Sequence, residues 1–187
     1  MADPYATGVL NKEHHDRLVA DLRNFARDAG IQPRWIWTPL ADTCGPEEVG
    51  YVRQFNRLRA EGVVQGLCFV GGGEEAPVGP RMAAIAGALV RNFVRARVLT
   101  VGTIIDQLDK GDAPECSCLL IPNFFLPKAE GGTLAAWRIN ALYDLLTKRG
   151  VSGQQTVIYA ANLAALGKEY GSSFSALVRD SFKVVQL

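Results

Sequence analysis

The chain has 187 residues, a mass of 20.3 kDa and 48% hydrophobic residues, the make-up of one globular domain with room for a small appendage. Twenty Lys and Arg against 19 Asp and Glu leave a net charge of +1, which removes any chain-wide electrostatic footprint for nucleic acid: a basic site has to be local. Nine prolines and 19 glycines, scattered along the chain, exclude a low-complexity or globally disordered protein. The opening Met1-Ala-Asp-Pro-Tyr-Ala lacks the basic start and apolar run of a signal peptide, and no stretch approaches the ~18 apolar residues of a membrane helix. Cys44, Cys68, Cys116 and Cys118 have no second Cys or His pair at ligand spacing, and His14 and His15 are adjacent. Buried thiols in a reducing cytoplasm are expected, with no metal site.

Taken in order, Lys12 to Ala29 reads as one helix, with Leu18, Leu22, Phe25 and Ala29 at three- and four-residue steps and Gly30 as its stop. Prolines at 33 and 39 break Ile31 to Leu40. Pro46, Glu47 and Glu48 then open a second helix, whose apolar stripe is Val52, Phe55 and Leu58 and whose end is Gly62. From Val63 the pattern changes. Apolar runs of strand length at 63–70, 97–101, 116–121, 156–160 and 183–187 alternate with helical segments at 80–95, 103–108, 133–149, 162–166 and 174–179. Near-continuous apolar strands alternating with helices predict an α/β fold with a parallel sheet covered on both faces. Three segments follow: an N-terminal helical segment (1–30), a linker and helix packing on the core (31–62), and the α/β core (63–187).

The first strand runs into Gly71-Gly72-Gly73 and then a helix, which is the P-loop arrangement for holding phosphates. The pattern G-x-x-x-x-G-K-[ST] is degenerate here. With Gly73 as the first glycine, Gly79 falls at the lysine and Pro80 at the Ser/Thr; sliding the end by one puts Pro80 at the lysine. Neither register supplies an ammonium or a hydroxyl. Glu74 and Glu75 would repel a polyphosphate, and Pro77 and Pro80 lack N–H donors. Arg81 is a partial stand-in for the cation, and a plain strand-to-helix turn is the simpler reading of the glycines.

The order of these segments resembles the DnaC-type helicase loaders and their IstB-type transposition-helper relatives. Asp28-Ala-Gly-Ile-Gln-Pro-Arg-Trp35 is similar to the family's "aGIPxRY" entry, Phe69-Val-Gly with Met82-Ala-Ala-Ile-Ala86 to its first strand, loop and "HLAxAI" helix, and Arg97-Val-Leu-Thr-Val101 to its second strand. The resemblance spans about residues 25–187. It implies an AAA+ core of the P-loop NTPase type: three layers, a five-stranded parallel sheet in the order 5-1-4-3-2, and two preceding N-terminal helices. The Walker B strand, "LLVIDE" in active members, corresponds to Leu119-Leu-Ile-Pro-Asn123. Pro122 and Asn123 thus stand where the acids that hold Mg²⁺ and activate water would be. Asn162 matches the sensor position or serves as a helix N-cap. Arg179 lies one residue from the family's inter-subunit arginine finger or is a surface arginine.

The expectation is a pseudo-ATPase that uses neither ATP nor Mg²⁺, with no catalytic residue. It would act in DNA replication or mobile-element maintenance by binding a replicative helicase or a related loader; the alternative is a divergent active ATPase. No membrane partner is expected. Arg53, Arg57, Arg59, Arg91, Arg95 and Arg97 leave DNA contact open, though net charge does not indicate it. Phe124 and Phe125 suit either a filled apolar cleft or a partner-binding surface.

Overall fold

The computed structural model describes residues 11–72, 77–124 and 135–187. Its sheet contains β1 (Gly66–Val70), β2 (Ala96–Val98), β3 (Cys118–Ile121), β4 (Gln155–Ala160) and β5 (Phe182–Gln186), all parallel, in the order β2-β3-β4-β1-β5. That is the order the resemblance implied. Because side chains alternate across a strand, Leu67 and Phe69 of β1 face one way and Cys68 and Val70 the other, and two separate apolar clusters form.

The first cluster lies under α5 (Val78–Arg91), α2 (Leu22–Ala29), α3 (Arg34–Trp37) and α4 (Pro46–Glu61), where Ala26, Ile36, Tyr51, Phe55, Met82 and Ile85 meet Leu120 and Val157. The second lies under α6 (Val101–Asp109), α7 (Ala136–Val151), α8 (Leu163–Tyr170) and α9 (Ser172–Ser181), where Ile104, Leu142, Leu146, Leu166 and Phe174 meet Leu119 and Ile158. Sequence segments 11–30 and 31–62 therefore share one core with the sheet.

Element bounds shift by a few residues throughout, β2 ending at Val98 where the sequence reading ran to Val101, and three differences have a clear local cause. The first helix is two: α1 (Lys12–Ala20) ends at Asp21, whose backbone (φ −119°, ψ 24°) leaves the helical region before α2 begins. Asp21 offers both its carboxylate, to Asn24 Nδ2, and its carbonyl, to the Asn24 and Phe25 N–H groups. An aspartate competing for local donors in this way favours a break. The Pro-bounded linker holds a helical turn, α3, begun at Pro33, because proline is compatible with a helix start. A short 3-10 turn, Leu40–Asp42, follows Pro39. Finally β1 begins at Gly66 rather than Val63; a Cβ at Gly66 would sit 1.6 Å from the Thr156 carbonyl oxygen. Glycine alone permits that approach of β1 to β4.

Candidate functional site

In the sheet β3, β4 and β1 are adjacent, so the chain leaves all three at the same end: Pro122-Asn123 after β3, Ala161-Asn162 after β4 and Gly71-Gly72 after β1. The carboxyl ends of parallel strands are where ligands sit in open α/β sheets. Cross-strand bonds tie the three exits together. Gly71 donates its N–H to the Ala161 carbonyl (3.1 Å), the Tyr159 hydroxyl donates to the Gly71 carbonyl (3.2 Å), and the Phe124 N–H donates to the Tyr159 carbonyl (3.4 Å). On the other flank Leu187 donates to the Val70 carbonyl (2.9 Å). Gly71 and Gly72 have φ of +89° and +76°, a backbone region glycine enters without penalty. Gly73, Glu74 and Glu75 lie outside the described residues.

Gly79 and Pro80 are exposed in the first turn of α5, and a Cβ on Gly79 would meet nothing within 4 Å. Arg81, the single cation between residues 71 and 90, is turned to α4: its Nη1 makes an ion pair with Glu48 Oε1, and Glu48 is only 1% exposed. The Arg81 carbonyl accepts a bond from Cys44 Sγ (3.6 Å). Burial, reinforced by the Glu48 carboxylate and opposed by Arg81, pushes the Cys44 thiol up to about 12. Cys68 and Cys118 are likewise pushed up to about 12, chiefly by burial, and all four cysteines are buried free thiols.

Asn123 is exposed and Pro122 half-buried at the end of β3. The residue after them is core. Phe124 is fully buried, its ring 5.5 Å from Tyr170 and 5.4 Å from Phe174, and its carbonyl accepts the Tyr170 hydroxyl. Of the two expectations for Phe124 the partner-surface one is corrected: aromatic packing beneath α8 and α9 claims the ring, as in a filled apolar cleft. Phe125 lies outside the described residues. Asn162 caps α8, its Oδ1 accepting the Ala165 N–H at 2.6 Å. Arg179 is exposed on α9 and paired with Asp180 at 3.1 Å.

The sequence reading missed Glu48 as a site residue. Glu48, Val52 and Phe55 stand at i, i+4 and i+7, so the carboxylate lies on the helix face that turns inward. A carboxylate on an inward stripe demands a partner. Among the described residues no group of three His, Cys, Asp or Glu is gathered to hold a metal, and no helix is long and apolar enough to cross a membrane.

No family model and no curated protein matches the chain. Solved structures do. The DnaC helicase loader superposes with a TM-score of 0.61 at 17% identity, over 82% of this chain and 98% of that one. DnaI gives 0.57 at 14% identity, over 83% and 94%. The replication initiator DnaA bound to AMPPCP and single-stranded DNA gives 0.59 at 11% identity, over 83% of this chain and 50% of that one. A DNA replication initiation factor also matches, and the chain spans about half the length of it and of that DnaA. With the strand order, the helices on both faces and a glycine turn leaving β1, the chain has the α/β, P-loop NTPase-like fold of the DnaC-type helicase loaders.

Proposed function

We propose that this protein is a non-catalytic, helicase-loader-like binding protein of DNA replication or mobile-element maintenance, which acts by contacting a replicative helicase or a related loader. The loader part of the reading is supported by a fold match that takes in nearly the whole of the DnaC helicase loader. The non-catalytic part is carried by the Arg81–Glu48 pair. Phosphoryl transfer needs a cation on the outer phosphates, a hydroxyl and carboxylate on Mg²⁺, and a group that orients water. The cation nearest the glycine turn in sequence is committed to a buried carboxylate on α4, and withdrawing it would leave that charge unpaired, which is costly. Gly79 and Pro80 bring no ammonium or hydroxyl, and Pro122 and Asn123 bring no carboxylate. These side chains do not fit Mg·ATP.

A ligand present at a hundredfold excess over its dissociation constant stabilises a protein by about 2.7 kcal/mol. Thermal melts with and without Mg·ATP, beside a phosphate-release assay, are expected to show no shift and no turnover. A rise of several degrees, or hydrolysis lost on changing Asn123, would establish the divergent active ATPase instead. Affinity purification from the native cell is expected to bring down a hexameric helicase or a loader; recovery of neither would remove the loader role.

A further inference from the structure

Away from the strand ends, two cavities adjoin across the turn joining α5 to β2. One, about 400 Å³, lies between α2 and that turn, with an apolar floor of Phe25, Ala29 and Val90 and with Arg95 and Arg97 in its wall. The other, about 530 Å³, lies between α4 and α5, with a floor of Leu40, Val52 and Leu89 and with Arg53 and Arg91 in its wall. Val94 lines both. Each is large enough for an apolar side chain to enter.

The charge around them is unbalanced. Among the described residues none of Arg53, Arg91, Arg95 and Arg97 has a carboxylate within ion-pair distance. Asp28 is the one acid lining either cavity, and Arg27 already stands 3.7 Å from it. Four uncompensated guanidinium groups in a chain of net charge +1 are a local anion-seeking surface. Phosphate strands and acidic peptides both answer that charge, and the aromatics separate them. Single-stranded nucleic acid needs open ring faces on which bases stack. Phe93, the exposed ring here, already has His14 tilted against it at 5.0 Å and Phe25 edge-on at 6.1 Å. Cavities lined by apolar side chains together with arginines suit side chains flanked by carboxylates.

We propose that the paired cavities form a docking groove for an acidic, apolar-anchored peptide segment of a partner protein, whose apolar side chains fill the pits while its carboxylates pair with the four arginines. This deepens the binding-protein reading and rests on it, but it is tested without a helicase or a nucleotide, so its failure would remove the groove and leave the fold-based reading standing.

The probe is a short, end-blocked, fluorescent peptide alternating Glu with Leu and Phe, titrated with the full chain and followed by anisotropy. Binding is expected, weakened about tenfold or more by R95A/R97A and by R53A/R91A at unchanged melting temperature, and unaffected by R138A on α7. The same peptide with Lys for Glu should not bind, a comparison that needs no variant. Absence of binding by the Glu peptide, equal binding by poly-Glu (no use of the pits), equal binding by the Lys peptide, or arginine-dependent binding of oligo-dT in its place would each overturn the proposal.

Discussion

Arg149 on α7 donates from Nη2 to the carbonyl of Gln155, the first residue of β4, at 2.7 Å. The same guanidinium reaches Thr156 Oγ1 (3.0 Å) and, at 3.2 Å each, the carbonyls of Pro114 and Cys116 and Gln154 Oε1. It is 2% exposed and is satisfied by neutral acceptors, a planar fork pinning the entries of β3 and β4. Replacing it with Met strands several carbonyls out of water at once. R149M is expected to lower unfolding stability by about 2–4 kcal/mol, read as a shift in urea midpoint at constant slope. R149K, with three donors and no fork, should recover less than half of that loss.

The Arg81–Glu48 pair spans α5 and α4. E48A leaves a partly buried guanidinium without its partner, and R81A leaves a carboxylate that is 1% exposed unpaired. Each single variant should cost more than the double variant's additive share. A double-mutant cycle is expected to give a coupling of about 1–3 kcal/mol. Additivity would mean that solvent takes the place of either partner.

Two glycines of α5 should answer oppositely to alanine. At Gly79 an added Cβ meets open space, whereas at Gly87 it would lie 2.1 Å from the Trp35 carbonyl oxygen of α3. G79A is expected to stabilise by a few tenths to about 1 kcal/mol through helix propensity, while G87A should cost several-fold more by prising α3 from α5. Thermal melts on both variants check the pair.

The thiols give stability a pH dependence. Cys44, Cys68 and Cys118 ionise near 9.0 when exposed and at about 12 in the fold. A folded value raised above the unfolded one means that the contribution is complete below pH 9, and is lost as pH rises from there toward 12. One pH unit above the unfolded value the loss is about 1.4 kcal/mol per thiol. Urea unfolding at neutral pH and near pH 10 should show the drop, and C68A/C118A should flatten it.

The strands and their parallel arrangement could be anticipated because their burial is written in composition: Leu119 to Ile121 and Thr156 to Ile158 are apolar or small enough to be covered on both sides, and they are; the order of the strands came only with the family resemblance. Both left-handed helix stops, Gly30 and Gly62, were legible for the same local reason. What composition could not show is where side chains far apart in sequence meet. Arg81 reads as a free cation beside a glycine turn until Glu48, 33 positions earlier, is folded against it. Phe124 reads equally as cleft filler or partner surface until α8 and α9 close over it. The break at Asp21 escaped because the apolar spacing runs through it unchanged.

At Gly30 the N–H groups of the turn are used within α2, φ is +69°, and the bare Cα lies so close to β2 that a Cβ would stand 2.5 Å from the Val98 carbonyl oxygen. β2 is one of the two outermost strands, and an outermost strand offers unpaired backbone groups to any passing chain. The turn after α2 therefore acts as a hem at Val98, lying where the backbone of an added strand would have to run. A protein that lost this turn would gain a place where a sixth strand, from another copy or another protein, can join.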